Sequence, residues 1–313
     1  MLYIVILNWN SYGDTIECLE SLRKNDYQDY KVILIDNASA NESLAELKKY
    51  ISDSACGEKI VLYENNENSG FAKGCNMGID IARENADCEY IWLLNNDTVV
   101  DKTSVVRLVS VMKSYPVDVV TPRINYFSPA DTVWNCGGKI SRLGFRKYYF
   151  AKQIESSLSD KSLLPVTFVT NCASFFRKSF FDDYRIDERF FFGEEDFSLS
   201  LYCRKNRKKM ICVLDSKIYH KVSASIDLNS VKTENKYFVY YLNRFVDMKS
   251  VFNNSFLFYI WKNLYFIYMR RLLKNKVEDL PFFLKKLSEC SKRMTCVDKR
   301  TFELIMSKTY RSL

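Results

Sequence analysis

Three groups of residues in this chain of 313 amino acids have types and spacing that can do chemistry. The first lies in "EYIWLLNNDTVV", residues 89–100, where the apolar run Ile91 to Leu94 stops at Asn95, Asn96 and Asp97 and resumes at Val99 and Val100. A buried strand ending in such side chains offers a cation site. Mg²⁺ and Mn²⁺ prefer oxygen ligands and take one or two carboxylates together with phosphate oxygens, which makes Asp97 the candidate ligand. The competing reading is a turn, because Asn and Asp bond their own backbone. The second group is Glu194, Glu195 and Asp196 in "FFFGEEDFSLSL". Acidic residues stabilise a helix N-terminus; one of them can also be a general base for a hydroxyl nucleophile. Its aromatic neighbourhood would raise a carboxyl pKa by desolvation and supply a face for a sugar ring. The third is His220, the single histidine, in "IYHKVSAS". A lone His is usually structural, but imidazole is a Mn²⁺-compatible ligand and joins Asp97 if the two segments meet in space.

Weaker signals accompany these. Asp36 ends an apolar run, where its carboxylate either accepts from a base or ribose or closes an Asx turn. Trp9 either stacks on a base or is core. Gly70, Gly74 and Gly78 in "SGFAKGCNMG" share one helix face and allow close backbone approach, to a sheet or to a nucleotide. Their spacing fits neither a dinucleotide-binding fingerprint nor a P-loop.

The elements that must position these groups are legible from periodicity. "LYIVILNWN", "YKVILIDNAS", "KIVLYENNEN" and "YIWLLNNDTVV" read as strands, and "DTIECLESLRKN", "NESLAELKKYI" and "GFAKGCNMGIDIAREN" as the helices between them. This β-α alternation predicts a parallel, helix-covered sheet, in which ligands bind beyond the carboxyl ends of the strands. Beyond residue 115 the alternation weakens. "DVVTPRINYF" and "VTFVTNCASFFRK" read as strands, with the polar "YYFAKQIESSLSDKSLLP" between them as a loop that is mobile or ordered on binding. "GEEDFSLSLYCRKNRKK" reads as a helix and "MICVLDSKIYHKVSAS" as a last strand with a loop. From about residue 231 the chain is aromatic and basic. This predicts a helical region that either packs as a subdomain or lies on a membrane surface, with Arg270, Arg271, Lys274 and Lys276 on anionic lipid.

Composition narrows the classes. The formal charge of +8 fits an anionic partner: a nucleotide, an anionic membrane surface or nucleic acid. The basic residues are dispersed and no nucleic-acid motif is present, which argues against the last. The ten cysteines contain no CxxC, and one histidine excludes HExxH and zinc sites with several His. Reduced thiols in a cytosolic protein are expected. "MLYIVILNWN" is too short for a signal peptide and reads as a first strand.

Taken in order, "IVILNWNS", "VILIDNAS", "ENSGFAKGCNMGI", "WLLNNDTVV", "RIDERFFFGEEDFSLSLYCRKN" and "HKVSAS" resemble the family 2 glycosyltransferases of GT-A fold, in their rhamnosyltransferase-like branch. The resemblance spans residues 1–225, read as the GT-A domain, with 226–313 as a helical C-terminal region. It implies a mostly parallel central sheet flanked by helices. It also implies inverting transfer of a sugar from a nucleotide-sugar, dTDP-rhamnose among the donors, to a lipid-linked or polysaccharide acceptor in bacterial surface glycan synthesis. By position, Leu7, Trp9 and Asp36 resemble the base pocket, and Gly70, Phe71 and Asn76 part of the nucleotide-sugar wall. Asn95, Asn96 and Asp97 stand at the DxD-type motif, with Asp97 the metal ligand. Asp196 resembles the catalytic base, with Glu195 beside it, and His220 the late histidine that completes a Mg²⁺ or Mn²⁺ site. Three positions depart from the pattern: Asn where a first Asp is frequent, Ser198 where a second Asp is frequent, and Asn171 where many relatives have Gly. The first of these motivates the alternative, a catalytically weak nucleotide-sugar-binding module that scaffolds a polysaccharide assembly complex.

Overall fold

The structure is a computed structural model that describes residues 1–141, 143–158, 161–222, 233–252 and 254–313. Strands β1 (Leu2–Asn8), β2 (Tyr30–Asp36), β3 (Ile60–Glu64) and β4 (Tyr90–Leu94) alternate with helices α1 (Tyr12–Arg23), α2 (Ser43–Asp53) and α3 (Phe71–Glu84). These strands lie in the order β3-β2-β1-β4 and are parallel throughout. Their uninterrupted apolar character has a simple cause: both faces are covered. Ile4, Ile6, Val32, Leu34, Trp92 and Leu94 enter one core layer. The alternate residues Val5, Ile33, Ile35, Ile91 and Leu93 enter the other.

The chain continues through β5 (Thr98–Val100), α4 (Ser104–Ser114), β6 (Val119–Tyr126), β7 (Val133–Asn135), β8 (Gly138–Ile140) and β9 (Arg146–Tyr148). It then forms β10 (Leu163–Val166), β11 (Ala173–Arg177), α5 (Glu195–Lys205) and β12 (Met210–His220). The sheet extends from β4 through β11, β6 and β12 to β10, with β11 antiparallel to β4 and β6. The whole is therefore a mixed sheet flanked by helices.

Three sequence expectations are corrected. "YIWLLNNDTVV" is not one strand: β4 ends at Leu94, the chain turns through Asn95–Asp97, and β5 then pairs antiparallel with β12. "VTFVTNCASFFRK" is likewise divided, between β10 and β11. The polar segment between the expected strands carries a short 3-10 turn at Glu155–Ser157 and most of β10. Only Tyr148 of β9 lies in that segment, which is anchored by Glu155, accepting from Arg123 at 2.7 Å and Asn125 at 2.9 Å. Residues 159 and 160 of that segment, the final Ser223–Ser225 of "HKVSAS" and the expected 225/226 domain boundary lie outside the described residues.

The glycine spacing of α3 is packing. A Cβ built on Gly74 would meet Leu7 Cδ1 at 2.5 Å, and one on Gly78 would meet Val5 Cγ1 at 2.4 Å. Both contacts are closer than carbons tolerate, so a side chain at either position would force Leu7 or Val5 of β1 to shift.

Contacts divide the chain into two compact units, Met1–Ile186 with Leu199–Ile226, and Asp187–Ser198 with Asp227–Leu313. The acidic stretch read as part of the first domain therefore clusters with the C-terminal helices. Those are α6 (Thr233–Val251), α7 (Ser255–Leu273), α8 (Leu280–Arg293) and α9 (Lys299–Ser307). Asn254, Asp279 and Asp298 cap the last three by accepting backbone N–H groups, as short polar side chains do at helix starts. Phe238 of α6 stacks on Tyr310 at 4.7 Å and meets Phe283 of α8 edge-on at 5.3 Å, so aromatic pairs fill this unit's interior.

Candidate functional site

In the first unit, the polar residues that end the parallel strands bond to one another. Asn8, fully buried at the end of β1, donates from Nδ2 to Asp36 Oδ1 at 2.7 Å and to Ser39 Oγ at 3.2 Å. Its Oδ1 accepts from Thr15 of α1 at 2.8 Å, and Thr15 Oγ1 accepts from Asn96 Nδ2 at 3.0 Å. Asp36 also accepts from the backbone N–H and hydroxyl of Ser39, at 3.0 and 2.6 Å. One continuous buried network thus links the ends of β4, β1 and β2. A second begins at Asn37, whose Oδ1 accepts from Asn65 and Ser69 and whose Nδ2 donates to Asn68 at 3.0 Å. It fixes the entry to α3, where Gly70 has a φ of +83°, in the left-handed region that suits glycine.

The turn after β4 delivers Asp97 to His220. β5 pairs with β12 in a register that sets Thr98 opposite His220, so the preceding residue lies beside the imidazole. Asp97 Oδ1 stands 3.1 Å from His220 Nε2, and both side chains are buried. The Trp134 ring meets the imidazole edge-on at 4.6 Å. Asp97 Oδ1 and His220 Nδ1 are buried atoms without a hydrogen-bond partner among the described residues. One carboxylate oxygen and one imidazole nitrogen at this separation fit a divalent cation that takes mixed N and O ligands. No group of three or more His, Cys, Asp or Glu side chains able to hold a metal occurs among the described residues, so the pair needs ligand oxygens from elsewhere.

The remaining expected residues of this unit separate. Trp9 is 42% exposed, which removes the core alternative and leaves its ring accessible. Leu7 packs on Gly74. Phe71 opens α3, partly buried. Asn95 turns the chain, its N–H donating to the Cys172 carbonyl at 2.8 Å and its carbonyl accepting from Thr98 Oγ1 at 2.7 Å. Asn76, placed on the sugar wall by position, is almost fully buried. Its amide clamps the Ile186 backbone, donating to the carbonyl at 2.9 Å and accepting from the N–H at 3.1 Å.

In the second unit, Glu194 precedes α5 with a φ of +78°, after Gly193 at +84°. Two consecutive left-handed residues bend the chain sharply, and only the first is a glycine. Glu194 is held there by a buried ion pair with Arg244 of α6, whose Nε and Nη2 both donate to its carboxylate. The Arg244 guanidinium also lies 3.3 Å from the centre of the Phe197 ring. Glu195 and Asp196, both partly buried, form the first turn of α5. Burial, followed by the charges of Asp196 and Glu194, pushes the Glu195 carboxyl up to about 8, which favours its protonated form. Asp247 accepts from Arg189 at 2.8 Å and from Ser198 Oγ at 2.9 Å. Burial and the Glu194 charge raise its carboxyl to about 6 against the pull of Arg189. A carboxylate from α6 thus reaches Ser198, where the family resemblance leads one to expect an Asp.

Sequence reading missed Thr15 and Ser39, and Arg189, Arg244 and Asp247. The last two had a signal: in "YYLNRFVD" they interrupt an aromatic helix at three-residue spacing, which places both on one face.

Residues 3–185 match the model of a family described as "Glycosyl transferase family 2". A glycosyltransferase named GlyG, from Streptococcus pneumoniae serotype 4, is 27% identical over 128 residues, 41% of this chain and 40% of that protein. The match therefore spans well under half of the relative's length. Among solved structures, GalNAc-T7 with UDP, GalNAc and Mn²⁺ superposes with a TM-score of 0.62 at 16% identity, covering 97% of this chain and 56% of that one. Staphylococcus aureus TarS 1-349 in complex with UDP superposes with a TM-score of 0.54 at 14% identity, covering 87% of this chain and 72% of that one. The chain shares the GT-A fold of these structures.

Proposed function

The chain belongs to glycosyl transferase family 2, and we propose that it transfers a sugar, with inversion, from a nucleotide-sugar to a lipid-linked or polysaccharide acceptor in bacterial surface glycan synthesis. The observation that carries this reading is the Asp97–His220 pair, 3.1 Å apart and buried where β4 ends and β5 meets β12. Ligands of such sheets bind at strand carboxyl ends. TarS complexed with UDP and GalNAc-T7 with UDP and Mn²⁺ support a uridine donor and a divalent cation, alongside the dTDP-rhamnose that the branch resemblance suggests.

In this reading Asp97 and His220 would hold Mg²⁺ or Mn²⁺, which would supply positive charge to the leaving diphosphate. Trp9, accessible beside the end of β1, stacks on the base. Leu7 and Asp36 border that pocket, Asp36 orienting Asn8 and Ser39. Gly70 and Phe71 line the donor at the start of α3, and Asn95 and Asn96 bond sugar or ribose. Asp196 takes the acceptor hydroxyl proton as that oxygen attacks the anomeric carbon from the side opposite the leaving group. Glu195, whose carboxyl is raised by burial and by its acidic neighbours, stands beside it in the first turn of α5. Residues 1–225 carry the transfer, and 226–313 place the enzyme at the cytoplasmic face of the membrane.

The test is Asp196→Asn. Transfer is expected to fall by about 10²–10⁴-fold, with nucleotide binding by calorimetry unchanged. A variant with native turnover would remove the base assignment. A non-catalytic binding module, the reading that Asn95 and Asn96 favour, is excluded by any native transfer that Asp196→Asn abolishes.

A further inference from the structure

Helix α7 carries large apolar residues on both its covered and its open side. Phe258, Trp261, Tyr265, Met269 and Leu273 are buried. On the opposite side, Phe256, Ile260, Leu264 and Ile267 form one row at helical spacing and are 68%, 41%, 54% and 62% exposed. A contiguous exposed apolar patch marks an interaction surface. The row does not end at Ile267. The same face continues through Arg271 and Lys274, both exposed, with exposed Arg270 beside them. The helix contains no Asp or Glu. No helix among the described residues is long and apolar enough to cross a membrane.

We propose that this exposed face of α7 is a docking surface for an anionic lipid bilayer, lying in the interface plane with Phe256, Ile260, Leu264 and Ile267 among the acyl chains and Arg270, Arg271 and Lys274 on headgroup phosphates. Charge decides between lipid and a second copy of the chain. A two-fold pairing of parallel helices would set cations against cations. An antiparallel pairing would bury Arg271 and Lys274 over the partner's apolar row, where nothing on this face neutralises them. Anionic headgroups accept both halves of the row at once, since apolar area and basic charge add in interfacial binding.

The inference deepens the membrane-surface part of the proposed function and rests on it, but not on the transfer chemistry. The full chain is sedimented with phosphatidylcholine vesicles with and without phosphatidylglycerol. Binding is expected on the anionic vesicles and should weaken with added salt. Ile260→Ser with Ile267→Ser should reduce it by about tenfold or more. Arg270→Gln, Arg271→Gln and Lys274→Gln together should reduce it by about a hundredfold. All five positions are exposed, so the fold is retained, and light scattering is run on each variant. Absence of binding by the native chain, or binding that neither set of variants changes, overturns the proposal. So does a native oligomer that the Ile260→Ser, Ile267→Ser variant dissociates, since the face then joins copies. Transfer to a water-soluble acceptor, measured in the same proteins, should stay native, and it reports separately on the transferase reading.

Discussion

At the scale of single residues, the acidic run separates into three different jobs that its sequence does not distinguish. Glu194 pairs with Arg244, the Glu195 carboxyl is raised by burial and its acidic neighbours, and Asp196 is left as the proposed base. The Glu195 shift has a thermodynamic consequence. Its folded pKa of about 8 lies above the ordinary 4.5, so folding takes up a proton between those values. Its contribution to stability is full below the ordinary value and is lost as pH rises through about 8. Asp247 acts with the same sign in a lower window, from 3.8 to about 6. Native and Glu195→Gln proteins are therefore expected to have matching melting temperatures near pH 4.5 and to diverge as pH approaches 8, with the variant the more stable. A melting-temperature series across that range checks it, and parallel curves would show that Glu195 is ionised in the folded protein.

At the scale of elements, α6 is more than packing material. Arg244 and Asp247 project from one of its faces to Glu194 and Ser198, so the helix fixes the bend from which α5 starts. Arg244→Leu would leave the Glu194 carboxylate buried without a partner, a loss of about 3–5 kcal/mol. Chemical denaturation measures this. Adding Glu194→Gln should recover a substantial part, because the uncompensated charge is then gone; equal losses in the single and double variants would assign the damage to packing instead. The sequence signals for elements differed in strength. Strands β1, β2 and β4 were legible because both their faces are buried and nearly every residue is apolar. β5 was not, because three residues in length carry no period and the intervening Asn95–Asp97 turn is too short to break an apolar pattern. Gly74 and Gly78 advertised a close approach, but only the contacts with Leu7 and Val5 identified its object as β1.

At the scale of the whole molecule, ligand binding is the quantity to measure, because a ligand that binds only the folded chain raises its melting temperature by mass action. A uridine or deoxythymidine diphosphate sugar with Mn²⁺ is expected to stabilise the native chain more than either component alone. That excess should vanish on chelation and in Asp97→Asn. Stabilisation by the nucleotide-sugar that ignores both would show that Asp97 and His220 do not serve a metal. The sequence by itself determined the parallel β-α start and the chemistry available at its strand ends, because periodicity and side-chain type are local properties. It also exposed an aromatic, basic C-terminal region without saying which face was open. Only the tertiary structure brought Asp97 to His220, joined Asn96 to Asp36 through Thr15 and Asn8, set Arg244 on Glu194 and left one side of α7 bare. Each of these depends on strand register or helix packing between segments far apart in the chain, and no local pattern encodes such a pairing.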